Sequence, residues 1–197
     1  APCAAWVRGA LQVSVMAGVR SKTIAAATGS ERIVRTMPNT PALIGQGIAG
    51  LYARADVSKP ERAQVEQVLA PTGEVLWVDR EEDLDAVTAL SGSGPAYVFY
   101  FAEAMVQAAQ HMGLTAEQGR RLALATFAGS SALAQQSGDP LSLLRDRVTS
   151  KGGTTFAALS SLQADGVSES VIKAVHAARH RAKELGDAFG LPAADSP

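Results

Sequence analysis

Residues 33–41, with the sequence IVRTMPNTP, decide the fold class. The first four of them are rich in β-branched side chains and predict a strand, which the two prolines prevent from continuing. A second predicted strand, LQVSV, lies upstream at residues 11–15. Between the two strands, residues 21–29 (SKTIAAATG) predict a helix with the serine as its N-cap and the glycine as its stop. This succession indicates an α/β sheet.

The alternation continues downstream. Ile48–Ala53 predicts a further strand, and Ser58 followed by Glu61 forms a capping box that begins a helix through Ala70. Glu74–Val78 then predicts another strand. Strand and helix therefore alternate from residue 11 to residue 78, as in the sheet domain of an α/β protein.

Helices alone are predicted beyond Asp79, at Ala96–Met112, Ala116–Gln136, Leu141–Val148, Thr155–Gln163 and Glu169–Phe189. Their stripes of small residues allow helix backbones to approach closely and suit the pairing of two chains. We therefore predict α/β followed by all-α, with a sheet domain over residues 1–79, a helical domain over 80–190 and a frayed tail over 191–197.

Composition restricts the class of protein. The 197 residues are 47% hydrophobic, with 18 basic and 19 acidic side chains and a formal charge of −1, which argues against an extended nucleic-acid surface. Cys3 is the only cysteine, so one chain holds no disulfide framework and no cysteine-rich zinc site. Without an apolar run of roughly 18 residues or a secretory signal pattern, we expect a soluble, cytoplasmic protein with no membrane partner.

Two loops directly follow predicted strands. Ala17 and Gly18 come after the first strand, and residues 37–41 (MPNTP) come after the second. Ligands of open α/β sheets collect at the carboxyl ends of strands, so the two loops are expected to line one crevice. Each loop taken singly is better explained as a simple turn or strand end, and only the two together favour a ligand site.

A third loop, TSKGGTT at residues 149–155, immediately precedes an apolar helical segment. Two glycines let backbone N–H groups converge, and the helix adds its unpaired N–H groups and positive dipole end. The loop is therefore expected to hold an anion such as a carboxylate or phosphate. It lacks the Walker spacing of a nucleotide triphosphate site, and a glycine-rich connector remains the alternative.

Three other features have simpler interpretations. SGSGP at residues 91–95 predicts a tight loop that permits close packing. His176 and His180 lie one helical turn apart, but no third ligand is at a suitable spacing, so no metal site is expected. Residues 81–83 (EED) are typical of a solvated helix start.

The sequence resembles the pyrroline-5-carboxylate reductase family. The resemblance rests on VRTMPNTP at residues 34–41, ALSGSGPAY at 89–97, HMGL at 111–114 and VTSKGGTT at 148–155, which occur in the family's order and spacing. It implies a partial Rossmann-like domain followed by a helical domain through which subunits interlock, as a homodimer or a ring of dimers. It also implies transfer of hydride from NADPH or NADH to the C=N carbon of 1-pyrroline-5-carboxylate, giving L-proline.

The resemblance assigns roles to individual residues. The expected neighbours of the nicotinamide are Ala17 and Gly18, with Asn39 and Pro41 lining the same crevice. The expected substrate-binding residues are Ser150, Gly152, Gly153, Thr154 and Thr155 around the carboxylate, and Glu81 close to the ring nitrogen. Because an imine acceptor chiefly needs placement, no catalytic acid or base is assigned. Lys151 stands where the family usually has proline.

The family's first strand, turn and helix, with the glycine fingerprint for the pyrophosphate, is expected ahead of Leu11 and is not in this sequence. We therefore expect weak cofactor binding and impaired activity of this chain alone. Two other functions stay open: a catalytically silent helical dimerisation module, and a related β-hydroxyacid-type dehydrogenase. The second would place its catalytic lysine within a helix, whereas Lys151 lies in a predicted loop.

Overall fold

The computed structural model describes residues 4–188. Cys3 and the predicted tail over residues 191–197 lie outside these residues. The chain divides into two compact units, a sheet unit formed by Ala1–Pro95 with Ala174–Pro197, and a helical unit formed by Ala96–Lys173.

This division differs from the one predicted from the sequence, in which the sheet domain ends at residue 79. In the structure, residues 80–95 group with the sheet, as does the C-terminal part of the last helix from Ala174 onward. The domain boundaries expected from the sequence, residues 1–79 and 80–190, stay a prediction.

The sheet unit contains four strands and their flanking helices. In chain order these are α1 (Ala4–Val7), β1 (Gln12–Ser14), α2 (Ser21–Thr28), β2 (Ile33–Met37), β3 (Gly47–Ala53), α3 (Lys59–Leu69), β4 (Gly73–Trp77) and α4 (Asp83–Val87). A 3₁₀ turn, Thr40–Ile44, joins β2 to β3. The predicted α/β alternation is confirmed.

The strands lie side by side in the order β1, β2, β3, β4. β1 pairs parallel with β2, and β3 pairs parallel with β4, but β2 and β3 are antiparallel. Because the link between β2 and β3 holds only a short turn, it reverses the chain instead of carrying it across the sheet. The sheet is therefore mixed.

Helices cover both faces of the sheet. Ile33 and Val34 are adjacent in β2, so their side chains point to opposite faces, and both are fully buried. Ile33 packs with Ile24 of α2, whereas Val34 packs in a cluster with Leu51 and with Val65 of α3. Burial on both faces explains why consecutive residues of the central strand β2, Ile33 and Val34, are both apolar.

Two of the predicted helix ends in the sheet unit are confirmed and one is wrong. The capping box of Ser58 and Glu61 is confirmed at the start of α3, and Gly29 ends α2 with a left-handed φ of 71°. The prediction that Ser21 caps α2 is wrong. Arg20 occupies the N-cap without a side-chain cap, and Ser21 is the first helical residue, because a distant carboxylate supplies the acceptor that Ser21 would have provided.

The remaining helices are α5 (Gly94–His111), α6 (Ala116–Ser137), α7 (Leu141–Arg147), α8 (Thr154–Ala164) and α9 (Val167–Ala188). A capping box of Thr115 and Gln118 begins α6, as the sequence predicts. Within the helical unit, α5 and α6 touch closely, since a Cβ atom on Gly119 would lie 2.8 Å from the Cβ of Ala109. None of the helices within residues 4–188 combines the length and apolar character needed to cross a lipid bilayer.

Candidate functional site

The carboxyl ends of β1 and β2 lie at one edge of the sheet because the two strands are parallel neighbours. The loop with Ala17 and Gly18 and the loop with Asn39 and Pro41 follow these ends directly. Ala17 is exposed, and Gly18 has a φ of 75°, which favours glycine. The structure thus brings together at one edge the four residues expected to contact a cofactor.

Asn39 has a structural contact at this edge. Its Oδ1 accepts a hydrogen bond of 3.0 Å from the N–H of Ile48, at the start of β3. Pro41 is half-buried in the first turn of the 3₁₀ segment that follows. These contacts hold the loop in a defined shape without engaging Ala17 or Gly18.

The segment SGSGP at residues 91–95 is not a loop, which corrects the sequence prediction. Thr88–Gly92 forms a π-helical turn between α4 and α5. A Cβ atom on Gly92 would lie 2.8 Å from Cε of Met37, the last residue of β2. The glycine therefore makes room for Met37, in agreement with the packing role considered from the sequence.

Glu81 makes three short hydrogen bonds. Its Oε1 accepts from the N–H of Ser21 at 2.5 Å and from Nη1 of Arg35 at 2.8 Å, and its Oε2 accepts from the hydroxyl of Ser21 at 2.6 Å. Burial acts to raise the pKa of Glu81, but the donors from Ser21 and Arg35 outweigh it and hold the pKa below the ordinary value. Glu81 is thus an anchored, ionised carboxylate and not a solvated helix start.

A second ion pair lies beside the first. Nη2 of Arg20 donates to Oδ2 of Asp85 at 2.7 Å, and this hydrogen bond raises the pKa of Arg20. Nη1 of Arg20 is buried without a hydrogen-bond partner in the described part of the chain. We call Arg20, Arg35, Glu81 and Asp85 the buried charge cluster, since each side chain is at most 15% exposed.

The buried charge cluster borders a cleft of about 1120 Å³ within the sheet unit. Most of the residues that line it are charged or polar, among them Lys22, Tyr52, Arg54, Asp56, Glu82, His176, Arg179, His180, Lys183 and Asp187. His180 faces Glu184 at 3.2 Å, and no group of three possible metal ligands occurs among residues 4–188.

The TSKGGTT loop precedes a helix, as the sequence predicts. Gly153 is the N-cap of α8, with no side-chain cap, and Thr154 and Thr155 are the first helical residues. The left-handed φ of 74° belongs to Gly152, whereas Gly153 has a φ of −80°. The first N–H groups of an α-helix have no intrahelical acceptor, so this start can accept an anion.

Ser150 lies against the same helix start. Its backbone oxygen accepts from the N–H of Gly153 at 3.0 Å, and its Oγ would be only 2.5 Å from a Cβ atom on Gly153. Lys151 is exposed. The structure thus gathers the five residues expected to hold the substrate carboxylate into one turn of the helical unit, and their binding role stays a prediction.

Sequence reasoning missed Arg20, Arg35 and Asp85. One signal pointed to Arg35, because it is the only charged residue inside the buried strand IVRTM and so needs a charged partner. No local pattern indicated which carboxylate that partner is, since Glu81 lies 46 residues away in sequence.

Comparisons with known proteins agree on one family. Residues 81–185 match the family description "Pyrroline-5-carboxylate reductase dimerisation". The chain is 46% identical to a pyrroline-5-carboxylate reductase of Pseudomonas aeruginosa, covering 91% of this chain and 66% of that protein. It is 38% identical to the reductase of Haemophilus influenzae, covering 91% of this chain and 67% of that one.

Solved structures are similar as well. The pyrroline-5-carboxylate reductase of Coxiella burnetii matches with a TM-score of 0.84 and 40% identity, over 88% of this chain and 64% of that one. The Plasmodium falciparum pyrroline carboxylate reductase with NADP bound matches with a TM-score of 0.82 and 34% identity, over 89% and 71%. The chain spans about two thirds of the length of these relatives. The fold class and the resemblance in the sequence are confirmed, and the chain belongs to the pyrroline-5-carboxylate reductase family.

Proposed function

We propose that the protein acts in the NAD(P)H-dependent reduction of 1-pyrroline-5-carboxylate to L-proline, the last step of proline biosynthesis. One observation carries the proposal: in a chain of this family, Gly152–Thr155 forms an uncapped helix start suited to a carboxylate. The substrate is an anion with an electrophilic C=N bond, so a site that holds the carboxylate also fixes the position of the imine.

The carboxylate is proposed to accept hydrogen bonds from backbone N–H groups of Thr154 and Thr155, assisted by the hydroxyl of Ser150. Gly152 turns the loop through its positive φ, and Gly153 keeps the approach to the helix free of a side chain. These residues bind and orient the substrate. They carry no proton to it, which agrees with a reaction that depends on placement.

The sheet edge is proposed to receive the nicotinamide of the cofactor. Ala17 and Gly18 present little side-chain bulk there, and Asn39 and Pro41 line the adjoining loop, so the edge fits a flat ring. When bound, NADPH or NADH supplies a hydride to the imine carbon while the nitrogen takes up a proton. The cytoplasmic location expected from the sequence stays a prediction.

A second copy of the chain is the proposed partner. Large apolar side chains of the helical unit are exposed in the single chain, including Phe99 at 64% and Leu122 at 56%. Exposed apolar faces of this kind mark association surfaces. The matched family description supports a homodimer, and rings of dimers stay a prediction.

The test is an assay of purified protein for oxidation of NADPH and of NADH with 1-pyrroline-5-carboxylate. We expect substrate-dependent oxidation with proline as the product, at a rate that rises when the family's pyrophosphate-binding segment is joined ahead of residue 1. Oxidation of a β-hydroxyacid by NADP⁺, with no reduction of the imine, would favour the dehydrogenase. A folded dimer that turns over neither substrate, with or without that segment, would favour the silent dimerisation module.

A further inference from the structure

We propose that Glu81 is a positioning residue: its carboxylate is a built-in anion for the N-terminus of α2, and it thereby holds the loop from Ala17 to Arg20. This inference rests on the proposed function, which places that loop at the nicotinamide. It assigns to Glu81 a role different from direct contact with the ring nitrogen of the substrate, which the resemblance implies.

No local side chain caps the N-terminus of α2. The N-cap, Arg20, makes no side-chain cap, and the first turn contains no acidic residue. Glu81, 60 residues later in the chain, supplies the acceptor instead by binding the N–H and the hydroxyl of Ser21. A negative charge is stabilised at this end of a helix, so the carboxylate occupies the position that a bound anion would otherwise take.

Arg35 fixes the carboxylate from the side of the sheet. Its side chain is 7% exposed in the buried strand β2, and Nη1 donates to Oε1 of Glu81. A buried guanidinium without a partner is strongly unfavourable, so Glu81 must stay in place to compensate it. Arg20 and its partner Asp85 belong to the same buried charge cluster and add one charge of each sign to it.

Two consequences follow from these contacts. Both oxygens of Glu81 are engaged by strong donors, so the carboxylate is poorly placed to exchange a proton with a substrate. The same contacts tie Ser21, and with it the preceding residues Gly18–Arg20, to the turn before α4. Glu81 therefore acts on the cofactor edge through α2.

Chemical rescue tests this role without any need for activity. In Glu81→Ala the carboxylate is gone, but the donors of Ser21 and Arg35 still converge on the vacated space, which is large enough for formate. We expect the unfolding temperature of the variant to fall below that of the wild type. Sodium formate should then raise it saturably, with little effect on the wild type, while sodium chloride at equal ionic strength should not.

Two results would overturn the proposal: equal stabilisation of wild type and variant by formate, or an unchanged unfolding temperature in Glu81→Ala. Should Glu81→Ala fail to fold, Glu81→Gln keeps the shape and removes the charge. Urea unfolding of that variant is expected to show a loss of stability that formate does not restore, because the space is filled. A Glu81→Gln protein as stable as the wild type at neutral pH contradicts the role.

Kinetics of the active reductase separate positioning from proton transfer. We expect Glu81→Gln to raise the KM for the nicotinamide cofactor by about tenfold, roughly the loss of one hydrogen bond to a charged group. The pH profile of kcat should keep its shape, whereas loss of one limb would identify Glu81 as a proton-transfer group and overturn the proposal. If formate restores the stability of Glu81→Ala but the protein reduces no imine, the proposed function is refuted and the positioning role of Glu81 stands.

Discussion

The guanidinium of Arg20 lies directly against the backbone of Gly186. A Cβ atom on residue 186 would come within 2.5 Å of Nη2 and 2.6 Å of Nε. Gly186 is buried in α9, far from α2 in sequence. Its missing side chain therefore leaves room for a tertiary contact, the guanidinium of Arg20. Through this contact the end of α9 and the start of α2 hold each other.

Gly186→Ala is therefore expected to destabilise the protein, although alanine is the better helix former. The added methyl group displaces the guanidinium and weakens its bond to Asp85, and overpacking of this kind costs about 1–3 kcal/mol. Urea unfolding measures the loss. Gly94→Ala in α5 is the control, because a Cβ atom there meets nothing within 4 Å. Equal stabilities of both variants would show that Arg20 moves aside freely.

Stability is expected to fall in acid, in part through Glu81. Its pKa in the folded protein lies below the ordinary value of 4.5, so the unfolded chain binds more protons and stability rises with pH in that window. The contribution is present above the unfolded pKa and is lost as the pH falls through the folded pKa. Unfolding temperatures between about pH 3 and about pH 6 should change less in Glu81→Gln than in the wild type.

Comparing wild type with Glu81→Gln separates the effect of Glu81 on the pH dependence of stability from that of the other carboxylates. The pKa values of Asp83, Glu184 and Asp187 are also lowered by hydrogen bonds to neighbouring basic side chains, and these groups are common to both proteins. Parallel curves for wild type and Glu81→Gln would contradict the prediction.

Gly153→Val is expected to raise the KM for 1-pyrroline-5-carboxylate by at least about tenfold, since hydrogen bonds to charged groups are worth roughly 1.5–3 kcal/mol. The φ of −80° at Gly153 tolerates valine, so the cause is steric: the new side chain collides with Oγ of Ser150 and fills the approach to α8. Steady-state kinetics should show cofactor KM nearly unchanged.

Thr155→Ser is the matched control for the same helix start, because it keeps the hydroxyl and the backbone N–H. It should leave the substrate KM within about twofold of the wild type, as expected for a surface change that removes no donor. A correctly folded Gly153→Val enzyme with wild-type substrate kinetics would make the loop a connector and not a carboxylate site.

The helical unit is expected to hold a dimer at micromolar concentration. Replacing the exposed apolar residues Phe99 and Leu122 by aspartate should shift the protein toward monomers, because charges are disfavoured at the centre of an interface. Light scattering measures the mass. Val68→Asp is the control, since Val68 is equally exposed but lies on α3 of the sheet unit. A wild-type monomer would refute the dimer.

Local contacts explain what could be predicted from the sequence. The capping boxes at Ser58 and Thr115 join residues three positions apart, and the stop of α2 at Gly29 depends on one backbone conformation. The helix start after TSKGGTT is equally local. Such features follow from side-chain chemistry and short-range geometry, so their residue types alone indicate them.

Tertiary structure alone decided the antiparallel pairing of β2 with β3 and the partners of the buried charges. The sequence suggested Ser21 as a helix cap, but the fold brings the carboxylate of Glu81 to it across 60 residues. Arg20 likewise meets Asp85 across 65 residues and Gly186 on α9. Several carboxylates could satisfy each buried arginine, and only the folded backbone selects the one that is within reach.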